Sequence, residues 1–161
     1  MLAGIENITI KHLHEVPEHF DTVANWIYNQ WWKKPGNTEE VVKAPLREHL
    51  QGKGFPATLI ALDKGVPVGS VLLLESDGVD ELPELTPWLA ALYVAPQYRR
   101  QGVGPQLVQA LEQHAAQLGF GQLYLVATDR VDFYLDLGWQ VHLKLVGNTG
   151  ITIMQKSPGR P

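Results

Sequence analysis

At 161 residues, with 45% apolar and 19% charged side chains, the chain is long enough for one domain with a sizeable core and too apolar for disorder. The formal charge of −4 gives no general affinity for nucleic acid, and the absence of cysteine excludes disulfides, thiolate metal sites and cysteine nucleophiles. No apolar run approaches the roughly 20 residues of a membrane span and no basic-then-apolar leader is visible, so a single cytoplasmic domain over 1–161 is expected, ordered from about residue 5 to 156 and ending in a frayed "SPGRP".

In chain order, "NITIKHL" alternates Ile8 and Ile10 with polar neighbours, the pattern of a strand. Pro17 opens a helix in which Phe20, Val23, Ala24, Ile27 and Trp31 recur at three- and four-residue steps, and "KKPG" closes it. Thr38, as N-cap of an acidic first turn, starts a second helix running to about Leu50, with Pro45 as a break inside it. "ATLIAL" and "PVGSVLLLE" flank "DKGV" and predict a hairpin turning at Lys64 and Gly65. The acidic loop "SDGVDELPELTP" delivers a strand, "WLAALYV". Leu107, Val108, Leu111, Ala115 and Leu118 then mark the buried stripe of a helix whose Gln and Glu residues face outward, capped by Gly119. "QLYLVAT", a short helix from near Asp129 to Gly138, and the strands "WQVHLKLV" and "ITIMQK" around "GNTG" complete the chain. The order β-α-α-β-β-β-α-β-α-β-β predicts a mixed α+β domain.

The stretch "YRRQGVGPQL", Tyr98 to Leu107, places two cations at a helix start, where negative charge is normally preferred. A helix N-terminus has unpaired N–H groups, and glycines let a bulky oxyanion approach them. Pro105 donates nothing but sits in the first turn, where proline costs least. Arg99 and Arg100 add forked donors suited to phosphate. The competing reading is a tight strand-to-helix turn with solvated arginines. A nucleotide P-loop is excluded because no Lys-Ser/Thr follows, and a dinucleotide fingerprint because Leu107 stands at the third glycine position.

"LYVAPQYRRQGVGPQLV" resembles the acyl-CoA-binding motif of the GCN5-related N-acetyltransferase (GNAT) superfamily, Arg/Gln-x-x-Gly-x-Gly/Ala, at Arg99, Gly102 and Gly104. "DRVDFYLDLGW" resembles its second motif at Phe133, Tyr134, Gly138 and Trp139. The resemblance implies the mostly antiparallel, helix-flanked sheet of that superfamily and transfer of an acetyl group from acetyl-CoA directly to a primary amine, with no metal. Pyrophosphate would bind the backbone from Arg99 and Arg100 through Gln101, Gly102, Val103 and Gly104. Leu92, Tyr93 and Val94 would pair with the pantetheine arm, one N–H polarising the thioester carbonyl. Tyr134 would serve the leaving sulfur. Its free pKa of roughly 10 against a thiol's 8.5 makes a hydrogen bond to the developing thiolate the better description. Phe133 is expected in the core.

Two departures stand out. The Asn that many members carry seven residues before the tyrosine is Ala127, leaving Thr128 or Asp129 to substitute or to cap the helix. The Ala customary four residues before it is Arg130. The general base falls on an acidic residue near the central strand, Glu84 foremost, with Glu81 and Glu75 as rivals. Tyr28, Trp31 and Trp32 would line the acceptor cleft, Trp31 also fitting the core stripe. The acidic loop favours a cationic acceptor such as a polyamine, an aminoglycoside or a basic peptide, and a peptide α-amine stays open. Dimerisation is common in the family. His12 and His14 share a strand face without completing a metal site. The alternative from another class is a non-catalytic acyl-CoA-binding or sensing domain.

Overall fold

A computed structural model describes residues 7–144 and 151–159. Seven strands form one sheet in the order β1-β2-β3-β4-β5-β7-β6, with β1 Ile8–His12, β2 Ala57–Asp63, β3 Val66–Leu74, β4 Trp88–Val94, β5 Leu123–Ala127, β6 Gln140–Lys144 and β7 Thr152–Lys156. Every pairing is antiparallel except β4 with β5, which a helical crossover makes parallel. The helices are α1 Phe20–Ile27, α2 Glu40–Leu46, α3 Val103–Gln117 and α4 Val131–Asp136. The order of elements is the one that the sequence pattern predicts, and the architecture is a mixed α+β domain with a mostly antiparallel sheet. The "GNTG" turn lies outside the described residues.

The sheet is covered on both faces, and β2 shows how its residues divide. Leu59 and Ala61 join Val71, Leu73, Leu107, Val108 and Leu111 beneath α3, whereas Ile60 and Leu62 join Val23, Ala24, Ile27, Val42 and Leu46 beneath α1 and α2. Strict alternation thus explains a run buried on both sides. Lys64 and Gly65 both take positive φ, as a two-residue hairpin turn requires.

Several local expectations are corrected. The first helix ends in a π-helical turn, Tyr28–Trp32, and Trp31 leaves the core stripe with 43% of its surface exposed. The wider turn rotates Trp31 off the buried face that Ile27 occupies. Thr38 makes no side-chain cap. Glu39 precedes α2, which continues past Pro45 to Leu46 and then tightens into a 3-10 turn, Arg47–Gln51. In α3 Leu118 is exposed at the C-terminus, and Glu112, on the face expected to be wet, is buried. It is paired twice: its carboxylate meets Lys156 Nζ of β7 at 2.8 Å and accepts from Trp139 Nε1–H at 3.2 Å. Lys156 also donates to the Leu137 carbonyl at 2.7 Å. This network joins α3, the end of α4 and β7.

Candidate active site

A cleft of about 1070 Å³ opens along β4 and β5, at the upper end of the roughly 300–1,000 Å³ usual for a ligand site. Its origin is the parallel pair. The register between β4 and β5 contains a single aligned position, Trp88 with Tyr124. Beyond it the strands part, leaving the backbone of Leu92 to Val94 facing the gap with Leu125 to Ala127 opposite. A bulge sharpens the divergence. The β3 register skips between Ser70 and Leu72, and Ala91, on the opposing strand, takes φ +51, a strained value for a residue with a Cβ. The edge against β3 is equally close: a Cβ on Gly69 would lie 2.8 Å from the Tyr93 carbonyl oxygen.

The loop from β4 into α3 carries the next wall. Arg100 and Gly102 hold positive φ of 62° and 88°. Among the described residues the amides of Arg100, Gln101, Gly102, Val103 and Gly104 donate to no protein acceptor, and the first bond of α3 runs from Gln106 N–H to the Gly102 carbonyl at 3.2 Å. Consecutive free N–H groups at the positive end of a fifteen-residue helix form an anion cradle. Arg99, Arg100, Gly102, Gly104 and Pro105 line the cleft, whereas the side chains of Gln101 and Val103 turn away, Gln101 to the Gln97 carbonyl and Val103 into the core. Arg99 is held in place. Its Nε–H donates to the Val94 carbonyl at 2.8 Å and its guanidinium lies 5.6 Å from the Tyr93 ring centre; among the described residues its terminal nitrogens have no protein partner.

The facing wall comes from the end of β5 and from α4. Tyr134 is 8% exposed and lines the cleft. Among the described residues its hydroxyl has no protein partner. Burial raises its pKa to about 12, with Arg130 acting weakly in the other direction, so the phenol stays a donor at physiological pH. The helix end sets its position: Gly138 takes φ +93, and the Trp139 N–H returns to the Tyr134 carbonyl at 3.0 Å. Phe133 packs against the core beneath α3 and is also half-buried on the cleft wall, its ring edge 3.4 Å from where a Gly104 Cβ would stand and its face 4.7 Å under the Arg130 guanidinium. Thr128 and Asp129 line the cleft and bond to each other at 3.3 Å, and neither caps α4. Ala127 is buried.

The remaining wall is less like the expectation. Trp31 and Trp32 line the cleft, 43% and 46% exposed. Tyr28 does not; its hydroxyl is tied to the Asn37 carbonyl at 2.9 Å. Glu84 and Glu81 are exposed and stand off the cleft wall, because the loop after β3 turns them to solvent, and Glu75 lines a separate hollow beside Trp88. The acid that reaches the cleft from this loop is Asp77, whose carboxyl burial holds above its ordinary value. In the sequence it was one of several acids in a polar loop, with no pattern to single it out. His12, His14 and His114 pack together, ring centres 5.3 and 4.6 Å apart, yet among the described residues no group of three or more His, Cys, Asp or Glu is placed to hold a metal ion. Among those residues, too, no helix is long and apolar enough to cross a membrane.

The sheet with its parted parallel pair is shared by solved structures. An aminoglycoside 6'-N-acetyltransferase complexed with coenzyme A superposes with a TM-score of 0.73 at 19% identity over 95% of this chain and 99% of its own. Aminoglycoside 6'-acetyltransferase type Ii gives 0.71 at 21%, with the same coverage. A Salmonella typhimurium protein solved with its cofactor acetyl-CoA gives 0.67 at 16%, over 97% of this chain and 96% of its own. No curated protein sequence matches the chain. The sequence model of the Acetyltransferase (GNAT) family matches residues 22–139, and the chain belongs to that family.

Proposed function

We propose that the chain is an acetyl-CoA-dependent N-acetyltransferase that transfers the acetyl group to a primary amine by direct attack in a ternary complex. The observation that carries this reading is the convergence on one cleft of the free amides from Arg100 to Gly104, the parted edge of β4 and the unpartnered Tyr134 hydroxyl. The amide row and Arg99 take the pyrophosphate. The backbone of Leu92 to Val94 pairs with the extended arm, and an N–H there stabilises the oxyanion of the tetrahedral intermediate. Tyr134 donates a hydrogen bond to the departing sulfur and keeps its own proton, as its raised pKa demands. Thr128 takes the place next to the absent Asn. Asp77, rather than Glu84, is the carboxylate that the loop after β3 brings to the cleft, across from Asp129 on the α4 side. The aminoglycoside enzymes among the structural neighbours make an aminoglycoside one acceptor to try.

The test is thermal unfolding with and without acetyl-CoA, beside Gly104→Glu and an assay of thiol release. Ligand at about 100 times its Kd stabilises by roughly 2.7 kcal/mol, about 5–10 °C in a domain of this size. Gly104→Glu should abolish the shift by driving a side chain into Phe133 and the amide row. Stabilisation without thiol release from any amine would mark a non-catalytic acyl-CoA-binding domain. No stabilisation near millimolar ligand would leave the glycines as a turn only.

A further inference from the structure

We propose that the acceptor is a primary amine carried on a flat, apolar body, its ammonium held by Asp77 and its body laid against Trp31 and Trp32. The proposal rests on the transferase reading above and deepens it.

Three observations carry it. The wall of the cleft away from the phosphate loop comes from two elements, the π-helical turn after α1 and the loop after β3. Between them the floor is Ala90 and Ala91, small enough to leave space beside the bulge. Next is the charge pattern. Arg99, Arg100 and Arg130 belong to the loop into α3 and to the start of α4, with Asp129 beside them. On the acceptor side Asp77 is the one acid and Lys34 the one base among the described residues that line the cleft. A polycation would meet a single carboxylate there and a lysine that repels it. Nor does the rest of the acidic loop change this balance, since Glu75 and Asp80 line the separate hollow of about 240 Å³ beside Trp88.

The two indoles are the third observation. Six other large apolar residues are exposed among the described residues and none lines the cleft, whereas Trp31 and Trp32 stand side by side on its wall. An indole face attracts an organic cation and stacks on a flat ring, which together select a monoammonium on an apolar frame.

The chemistry balances. The bound ammonium passes one proton to the Asp77 carboxylate, and its freed lone pair forms the N–C bond at the thioester carbon. The C–S bond breaks, and the second N–H proton, shed by the new amide nitrogen, neutralises the sulfur that Tyr134 has hydrogen-bonded. A partly buried carboxyl whose pKa already lies above its ordinary value is suited to take that first proton.

The experiment compares tryptamine and phenethylamine with spermidine and methylamine in a thiol-release assay with acetyl-CoA. It uses the wild type, Asp77→Asn, Asp77→Glu and the double variant Trp31→Ala/Trp32→Ala, with the acetyl-CoA thermal shift read in each. The aryl amines should exceed spermidine in kcat/KM by about tenfold or more. Asp77→Asn should lose about 100-fold with the thermal shift retained, and Asp77→Glu should recover part of it. The double variant should raise KM for tryptamine about tenfold, several times more than it raises KM for methylamine. Spermidine equal to or better than the aryl amines, or an Asp77→Asn enzyme within threefold of wild type, overturns the proposal and leaves the transferase reading standing. Stabilisation by acetyl-CoA with no thiol release from any of the four amines overturns the proposal alone, whereas no stabilisation near millimolar acetyl-CoA overturns the transferase reading with it.

Discussion

The loop that runs into α3 offers the cleft its backbone, whereas the turn that ends α1 offers it two indoles. The first wall is over-determined. Gly102 and Arg100 in left-handed conformation, Pro105 in the first turn and Arg99 pinned to Val94 and Tyr93 fix a loop whose five amides have no acceptor among the described residues. The second is a π-helical turn bearing exposed Trp31 and Trp32, facing a loop that sends one carboxylate inward. A group common to many reactions can be bound by main chain, which any side chain carries. The variable partner has to be read by side chains that the fold leaves exposed. Rigidity on one side and exposure on the other are what a shared donor and a particular acceptor require.

If that division is right, the walls should fail differently. The largest effect is expected at the junction between them. Tyr134→Phe should lower kcat about 100-fold while the thermal shift with acetyl-CoA stays within about a degree, since the lost hydroxyl contacts no protein group. A comparable loss in acetyl-CoA affinity instead would place Tyr134 in the binding wall. Next in size is the frame behind α4. Glu112→Ala strips a buried carboxylate from Lys156 and Trp139 and should cost about 2–3 kcal/mol in urea unfolding, tempered by the partial exposure of Lys156. A cost under 0.5 kcal/mol would show that the network does not anchor the helix that positions Tyr134.

Smaller still is Arg99→Ala. If the amides carry most of the phosphate recognition, it should weaken acetyl-CoA about tenfold, measured by calorimetry, and not abolish binding as Gly104→Glu should. Equal losses from both would mean that the arginine, not the backbone, makes the site. The mildest expected effect concerns pH. His12, through burial and its neighbours His114 and His14, and His49, through burial beside Thr58, both hold pKa values below the ordinary 6.5. Below pH 6.5 the unfolded chain therefore binds more protons at these sites, and stability falls as pH drops from there toward the lowered values. The unfolding midpoint should decline from pH 7 to 5.5, and His49→Gln should flatten that decline. A midpoint constant over this range would remove the histidines from the account.

Much of the fold and of the cofactor wall was readable from residue order because the physics there is local. Alternation in β2 and β3, the Lys64-Gly65 turn, the stripe of Leu107, Val108 and Leu111, and the glycines at 102, 104 and 138 each express a backbone need or a period that survives without knowledge of neighbours. The misses lie where no period or motif speaks. Glu112 enters the core through Lys156 and Trp139, far along the chain, while Trp31 leaves it in a widened helix turn, Phe133 reaches the cleft beneath Arg130, and Asp77 follows the path of the loop after β3. Nothing in "SDGVDELPEL" distinguishes the inward acid from its outward companions. An alanine at 91 likewise gives no hint of the bulge that parts the strands, since its left-handed backbone is imposed by pairing with β3. Local periodicity and glycine placement settle what binds by main chain. Which side chains face the acceptor waits on packing between distant segments, because only there is it decided which polar groups find partners and which are left to meet a substrate.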